Sequence, residues 1–285
     1  MKGEIIITVD DIVELFREAV IYLPKDVKKS LNEAYEKEEG KLSKETLKAI
    51  IENNKIAESD CVPLCQDTGV PIVFLKVGRN INTNELFKIF EIIKEGVKKA
   101  TDEIPLRPNV VHPITRENIG NVGLSSPFIN VDFDKNLDRE IEITVFPKGA
   151  GSENISSLKM LKPSDGLEGI KKFVLNVVGD ALGKPCPPIV VGIGIGGTSD
   201  LALKLAKKAL LRNIGERHKD KEIANLEIEL LNKINELGIG AMGLGGKITA
   251  LDVFIEIAGC HTASLPVGVC INCWAHRKAK RRFKL

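Results

Sequence analysis

The chain has 285 residues, a net charge of +2 and 28% charged residues, the profile of an ordinary folded protein with enough length for a substantial core. That balance is too even to argue for nucleic-acid binding, and no apolar run reaches the roughly 18–20 residues a membrane span needs. The start, Met1 to Thr8, lacks a long apolar region and a cleavage site, so a cytoplasmic location is expected. Abundant Lys, Glu and Ile with a single glutamine, Gln66, fit a thermophile's composition.

The first third reads as helical, up to about residue 60. Asp10 and Asp11 can cap a helix carrying Ile12, Leu15, Phe16 and Val20 at helical spacing. A second helix is expected from Lys25 to Lys37, ended by Gly40, and a third after Ser43 with Leu47, Ile50 and Ile51 on one face. These three should pack together.

Next comes the densest chemistry in the chain, Cys61-Val-Pro-Leu-Cys65-Gln66-Asp67-Thr68-Gly69. Two thiols, an amide, a carboxylate and a hydroxyl in one loop suggest a place where metal or substrate is held. A strand is predicted over Val70 to Val77 and an amphipathic helix over Asn84 to Lys99. Thr101 to Val122 reads as a polar loop with Arg107, His112, Arg116, Asn118 and Asn121, long enough to suggest a role of its own.

Ile141 to Phe146 alternates as a strand and leads into Pro147 to Asn154. Ser164 and Asp165 are placed to cap a helix reaching about Leu182. Cys186 follows in a proline-fixed loop before a buried strand, Ile189 to Ile193. The run Gly194 to Asp200 is expected to turn from that strand into a helix over Leu201 to Leu211. It matches neither the Walker A nor the G-x-G-x-x-G spacing, so nucleotide binding is disfavoured, while carboxylate binding stays open. A helix over Lys219 to Leu237, a glycine turn over Gly238 to Gly246, and strands over Ala250 to Ile257 and Ser264 to Cys270 complete the pattern. The irregular alternation favours one domain over residues 1–285, of mixed α/β (α+β) class. The basic run His276 to Leu285 reads as a solvated terminus.

The six cysteines stand at 61, 65, 186, 260, 270 and 273. The pairs 61/65 and 270/273 could together make a tetrahedral zinc site. Alternatively, Cys65, Cys186 and one of the final pair could place three thiolates around an iron–sulfur cubane, leaving one iron open as a Lewis acid. Composition does not choose between these arrangements.

An ordered set of motifs adds to this. Pro63-Leu-Cys65-Gln66-Asp67-Thr68-Gly69, Leu106-Arg107-Pro-Asn, Lys148-Gly-Ala-Gly-Ser-Glu-Asn154, Lys184-Pro-Cys186-Pro-Pro188, Gly192-Ile-Gly-Ile-Gly-Gly-Thr198, Leu244-Gly-Gly-Lys-Ile-Thr-Ala-Leu-Asp252, His261-Thr-Ala-Ser-Leu-Pro266 and Cys273-Trp-Ala-His276 resemble the class I, iron–sulfur fumarate hydratases. The match runs from about residue 10 to the end and is closest to the α subunit of the two-subunit form, shared with L(+)-tartrate dehydratase. The resemblance implies a 4Fe–4S cluster on Cys65, Cys186 and Cys273, with one open iron for the hydroxyl and a carboxylate of malate. It implies a substrate pocket of Gln66, Asp67, Arg107, His261 and the backbone at Gly149, Ala150 and Gly151, with His261 and Asp67 in catalytic roles. Cys61, Cys260 and Cys270 are then not ligands.

The longer single-chain members have a second catalytic domain, and nothing after Cys273 resembles it. A dicarboxylate needs several cationic donors and the reaction needs a base, whereas this chain clearly offers only Arg107 and His261. A separate β subunit is therefore expected to complete the site, in a higher oligomer. The primary expectation is reversible hydration of fumarate to malate. L(+)-tartrate dehydration is the alternative, and a zinc-stabilised, non-catalytic interaction subunit is the alternative of another class.

Overall fold

The computed structural model describes residues 7–285, so the reading of the first residues falls mostly outside it. The chain forms mixed α/β structure in two compact units. The first comprises residues 7–24, 54–149 and 277–285, and the second residues 25–53 and 150–276.

In the first unit, helix α1 (Val9–Ile21) begins at a capping box, with Thr8 rather than an aspartate at the N-cap. The Thr8 hydroxyl oxygen accepts from the Asp11 N–H, and the Asp11 carboxylate accepts from the Thr8 N–H. Strand β1 (Ile72–Gly78) leads to helix α4 (Thr83–Glu103), capped by Asn82 and Glu85 in the same reciprocal way. The expected long polar loop contains a short ribbon, β2 (Val110–Val111) with β3 (Asn118–Gly120). Strands β4 (Phe128–Asp134), β5 (Glu140–Val145) and β10 (Ala279–Lys284) join β1 in a sheet of order β10-β5-β1-β4. Helices α1 and α4 bury Ile12, Phe16, Ile89 and Ile93 with Val73, Leu75, Ile141 and Ile143 of this sheet.

Strand β10 corrects the reading of the basic run. Ala279 and Phe283 point into the core, and Arg281 on the same face reaches Asp11 at 3.4 Å and Glu18 at 3.6 Å. Lys280 and Arg282 lie on the other face, 4.0 and 3.3 Å from Glu142 of β5. The terminus is an edge strand whose period-two pattern was hidden among cations, of which Lys280 and Arg282 are answered by an acid across the strand and Arg281 by acids on α1.

In the second unit, helix α2 (Lys25–Lys37) lies against strand β8 (Ala250–Cys260). Helix α3 (Lys41–Asp60), whose residues up to 53 belong to this unit, begins three residues earlier than expected, with Ser43 in its first turn. The three N-terminal helices thus do not make a subdomain of their own: α1 faces α4, and α2 faces β8. Helices α1 and α2 each bury apolar residues on an element that follows later in the chain.

The second sheet has the order β6-β9-β7-β8, with β6 (Ser157–Leu161), β7 (Ile189–Gly197) and β9 (Leu265–Asn272). Helix α5 (Ala150–Glu153) precedes it. Helices α6 (Gly166–Ala181) and α8 (Lys221–Glu236) cover one face, on Val191, Ile193, Val253, Ile255, Val267 and Val269. Helix α7 (Ser199–Ala209) covers the other.

That packing explains the glycine run. Residues 194–197 lie inside β7 rather than in a turn. A Cβ at Gly194 would fall 2.0 Å from the Ala202 carbonyl oxygen, and one at Gly192 would fall 2.2 Å from that of Ala206. The glycines therefore let the α7 backbone, with Ala202 and Ala206 facing the sheet, approach closely; they are not a free anion cradle.

The second glycine turn is held from a distance in sequence. Glu38, 1% exposed, accepts from the backbone N–H groups of Gly40, Lys247 and Ile248 and from the Ser43 hydroxyl. Burial works against its charge, but these four donors prevail and hold the carboxyl below its usual value of 4.5. A lowered folded value means the stabilisation is complete above 4.5 and is lost as pH falls through the folded value. Glu38→Gln should therefore cost about 2 kcal/mol at neutral pH. The gap in denaturation midpoint between the two proteins should narrow as pH drops below the glutamate range. A gap independent of pH would show that the charge of Glu38 contributes nothing.

Candidate active site

Within the first unit, the loop after α3 is pinned at both ends and open in the middle. The Leu64 N–H donates to the Val20 carbonyl at 2.9 Å, and the buried Thr68 hydroxyl oxygen accepts from the Arg107 N–H at 3.0 Å. Cys65 and Gln66 between them are exposed. Asp67 is half-buried, and its Oδ1 accepts from the Gly69 N–H at 2.9 Å and from Asn109 Nδ2 at 3.2 Å. Gly69 adopts φ +88°, and a Cβ there would sit 2.7 Å from the Lys148 nitrogen, so only glycine permits this approach to the next turn. The bridge between Val70 and Lys148, with N–O distances of 2.9 and 3.0 Å, fastens the two segments.

Residues 101–122 are ordered by two asparagines. Asn109 Nδ2 also donates to the Gly69 carbonyl at 3.2 Å, and Asn121 bonds the Asn109 N–H, the Arg107 carbonyl and the Thr101 hydroxyl. The expected loop is thus a brace that fixes the Arg107 backbone beside Thr68, while the Arg107 side chain is exposed and bonded by none of the described residues. Gly149 is buried, and a Cβ on it would lie 3.2 Å from Asp67 Oδ2. Cys65, Gln66, Asp67, Arg107 and Gly149 therefore belong to one braced region of the first unit.

The second unit holds the other predicted residues. Cys186 is half-buried at φ +55°, uncommon for a residue with a side chain, in a turn closed by its own N–H to the Gly183 carbonyl at 3.0 Å. The Trp274 N–H donates to the Cys186 carbonyl at 3.2 Å, which joins the Cys186 loop to the Cys273 loop. Cys273 is half-buried, just beyond the end of β9, in a turn straddled by the pair Asn272 Nδ2 and His276 Nδ1 at 2.9 Å. Ser152 of α5 reaches Asn272 at 3.5 Å, and Glu153 pairs with Lys207 at 2.5 Å, so the segment carrying Ala150 and Gly151 is anchored to β9 and α7. His261 is exposed between β8 and β9, beside an open cleft of about 410 Å³ lined in part by Leu167, Ile170, Thr262 and Leu265. Its Nδ1 accepts from the Ala263 N–H at 3.0 Å, which leaves Nε2 to carry the proton of the neutral ring and face outward as a donor.

The other cysteines separate from these by position. Cys270 is fully buried within β9, and its Sγ lies 3.9 Å from the Leu203 carbonyl on α7. Competition from Cys270 and the four-cysteine zinc site both fail on that burial, because the strand turns its thiol away from the loop that carries Cys273. Cys61 is exposed and pairs with Tyr22, whose hydroxyl pKa is raised first by that hydrogen bond.

None of the six cysteines is in a disulfide, and Cys65, Cys186 and Cys273 are each at least partly accessible on a loop. Such soft donors suit an iron–sulfur cluster. Among the described residues, no three His, Cys, Asp or Glu side chains are grouped closely enough to hold a metal ion. The donor set fits such a cluster by the softness and accessibility of its thiols alone. Asn109, Asn272, Trp274 and Arg277 were not expected as parts of the site. Asn109 and Trp274 stand inside motifs already singled out, and Asn272 directly precedes Cys273.

Each unit thus presents its own loop-borne groups on an α/β scaffold: a thiol, an amide, a carboxylate and a cation in the first, and thiols with an imidazole in the second. The family model for fumarate hydratase (fumerase) matches residues 9–282, and the chain belongs to that family. It is 78% identical over 277 residues, 97% of each chain, to a Methanocaldococcus jannaschii protein provisionally named L(+)-tartrate dehydratase subunit alpha. It is also 36% identical over 261 residues to the L(+)-tartrate dehydratase subunit alpha of Escherichia coli strain UTI89, covering 91% of this chain and 85% of that one.

Proposed function

We propose that this chain is the α subunit of an iron–sulfur hydro-lyase that removes water from a four-carbon hydroxy-dicarboxylate, with L(+)-tartrate as the substrate its relatives' names favour. The reading is carried by the braced loop in which Cys65 and Gln66 are exposed beside an Arg107 side chain free of internal partners. The family's own description favours fumarate and malate, the primary expectation from sequence, and that remains the second reading.

On this reading Cys65, Cys186 and Cys273 hold a 4Fe–4S cluster. Such a cluster, with one iron lacking a protein ligand, supplies a Lewis acid for the substrate hydroxyl and adjoining carboxylate. Arg107 offers a fork of donors to a carboxylate, and Gln66 with the backbone at Gly149 to Gly151 adds neutral donors. Elimination breaks one C–H and one C–O bond: a base takes the proton beside the carboxylate, and the hydroxyl leaves as water after gaining a proton. In this reading His261, whose Nδ1 accepts from the Ala263 N–H, supplies that proton from Nε2 or holds the departing oxygen. Asp67, fixed by Gly69 and Asn109, orients the same groups. A separate β subunit supplies the base and the remaining cations.

The test is anaerobic reconstitution with iron and sulfide, followed by assay on L(+)-tartrate, malate and fumarate with and without the partner subunit. Turnover of tartrate by the complex, with little from the isolated chain, is expected. Equal activity of the isolated chain removes the shared-site reading, and turnover of malate and fumarate alone transfers the assignment to the second.

A further inference from the structure

Arg277 follows the Cys273 turn and was first read as one cation of a basic terminus. In the structure it belongs to the first unit and is 2% exposed. Its Nη2 donates to the Asp67 carbonyl at 2.5 Å and its Nε to the Pro147 carbonyl at 3.4 Å. A Cβ built on Gly149 would lie 3.6 Å from Nη2 and 3.2 Å from Asp67 Oδ2, so guanidinium, aspartate and glycine are mutual neighbours. Nη1 is buried without a hydrogen-bond partner, and no carboxylate among the described residues forms an ion pair with the side chain.

This is a costly place for a cation. An arginine kept only for stability would be expected to have a buried acid or a full set of acceptors, because an uncompensated buried charge disfavours folding strongly. Arg277 instead spends its donors on two backbone carbonyls, one in the Cys65–Gly69 loop and one in the turn that carries Gly149. We propose that Arg277 is a positioning residue of the substrate site: its fork sets the Asp67 loop against the Gly149 turn, and its charge, in no ion pair among the described residues and with Nη1 unbonded, favours a dianionic substrate. The inference rests on the hydro-lyase reading and supplies one of the cations that a dicarboxylate requires beyond Arg107 and His261. Lysine cannot replace both actions, since an ammonium carries the charge but not the planar fork.

The two actions separate in kinetics. In the reconstituted complex with its partner subunit, Arg277→Gln should weaken binding of a non-reacting dicarboxylate such as malonate, measured by calorimetry, by about tenfold. KM should rise in proportion. Arg277→Lys should return affinity and KM to within about threefold of wild type, while kcat stays depressed because the carbonyls are no longer held. Thermal midpoints are recorded alongside. Wild-type affinity and kinetics in Arg277→Gln, or a lowered midpoint with unchanged affinity and KM, overturns the proposal and leaves a purely structural residue. If Arg277→Gln does not fold, Arg277→Lys decides, and an unchanged kcat overturns it. If the wild-type complex binds no dicarboxylate, the hydro-lyase reading falls and the inference with it, an outcome distinct from binding that ignores residue 277.

Discussion

Cys186→Ser and Cys273→Ser are each expected to abolish iron retention after anaerobic reconstitution, whereas Cys270→Ser should leave the iron and sulfide content at the wild-type level. The contrast is sharp because Cys270 and Cys273 lie three residues apart. Cys270 sits in the middle of β9 with its thiol against α7, where a metal could reach it only by parting helix from sheet. Cys273 has left the strand, and its turn is tied to the Cys186 loop through the Trp274 N–H. Serine keeps the size and removes the soft thiolate that iron–sulfur binding needs. Loss of one of three ligands is expected to reduce activity to background. Iron counting, sulfide counting and the cluster's visible absorption measure this without reference to any substrate. Full iron content in Cys186→Ser, or loss of iron in Cys270→Ser, would dismantle the proposed ligand set.

What the sequence makes legible follows from how local each signal is. Helices α4, α6, α7 and α8 and strands β1, β5, β7, β8 and β9 announce themselves by period and caps, and the expected spans meet the observed ones within a few residues. Strands β4, β6 and β10 escape notice because they are edges with mixed or polar faces, whereas the edge strand β8 is buried along most of its length and reads clearly. Phe128 to Asp134 mixes Asn and Asp with apolar residues, Ser157 to Leu161 is largely exposed, and β10 is disguised as a charge run. An edge strand needs only one partner and can carry polar residues on both faces, so its pattern is weak.

The site divides in the same way. Cysteines, Gln66 and His261 are rare, chemistry-bearing residues that stand out in a string of letters. Asn109, Ser152, Asn272 and Arg277 act through backbone groups and side chains far away in sequence, and no spacing reveals such a partner. The glycine run shows the converse error. The run Gly194 to Asp200 reads as a turn with carboxylate binding left open, but the purpose of Gly194, like that of Gly192, is set by the alanines of α7 on the other side of a contact.

Glu227→Ala is expected to destabilise the second unit by about 3–5 kcal/mol, the scale for removing one member of a buried ion pair. Glu227 on α8 is fully buried, 2.7 Å from Arg212 and 3.5 Å from Arg217, and it also accepts from the backbone N–H groups of His218 and Ile255. The two arginines stack at 5.0 and 5.8 Å from the centre of the Phe254 ring, and Arg217 also pairs with Asp252. Alanine would take the carboxylate from the buried Ile255 N–H and the part-buried His218 N–H and would break the 2.7 Å ion pair with Arg212, while Arg217 keeps Asp252. The Ile255 amide belongs to β8, the strand that runs on to Cys260 and the turn holding His261. The defect should therefore loosen the second unit where it presents His261, the proposed proton donor. Trp274, the single tryptophan, lies in this unit and is nearly buried, so its fluorescence during urea denaturation reports the loss. Glu227→Gln should cost less, because the amide oxygen still accepts while the charge is gone. A midpoint for Glu227→Ala within about 1 kcal/mol of wild type would mean that Asp252 and Glu256 can neutralise both arginines unaided, and that the network around Phe254 is redundant rather than the tie between α8 and β8.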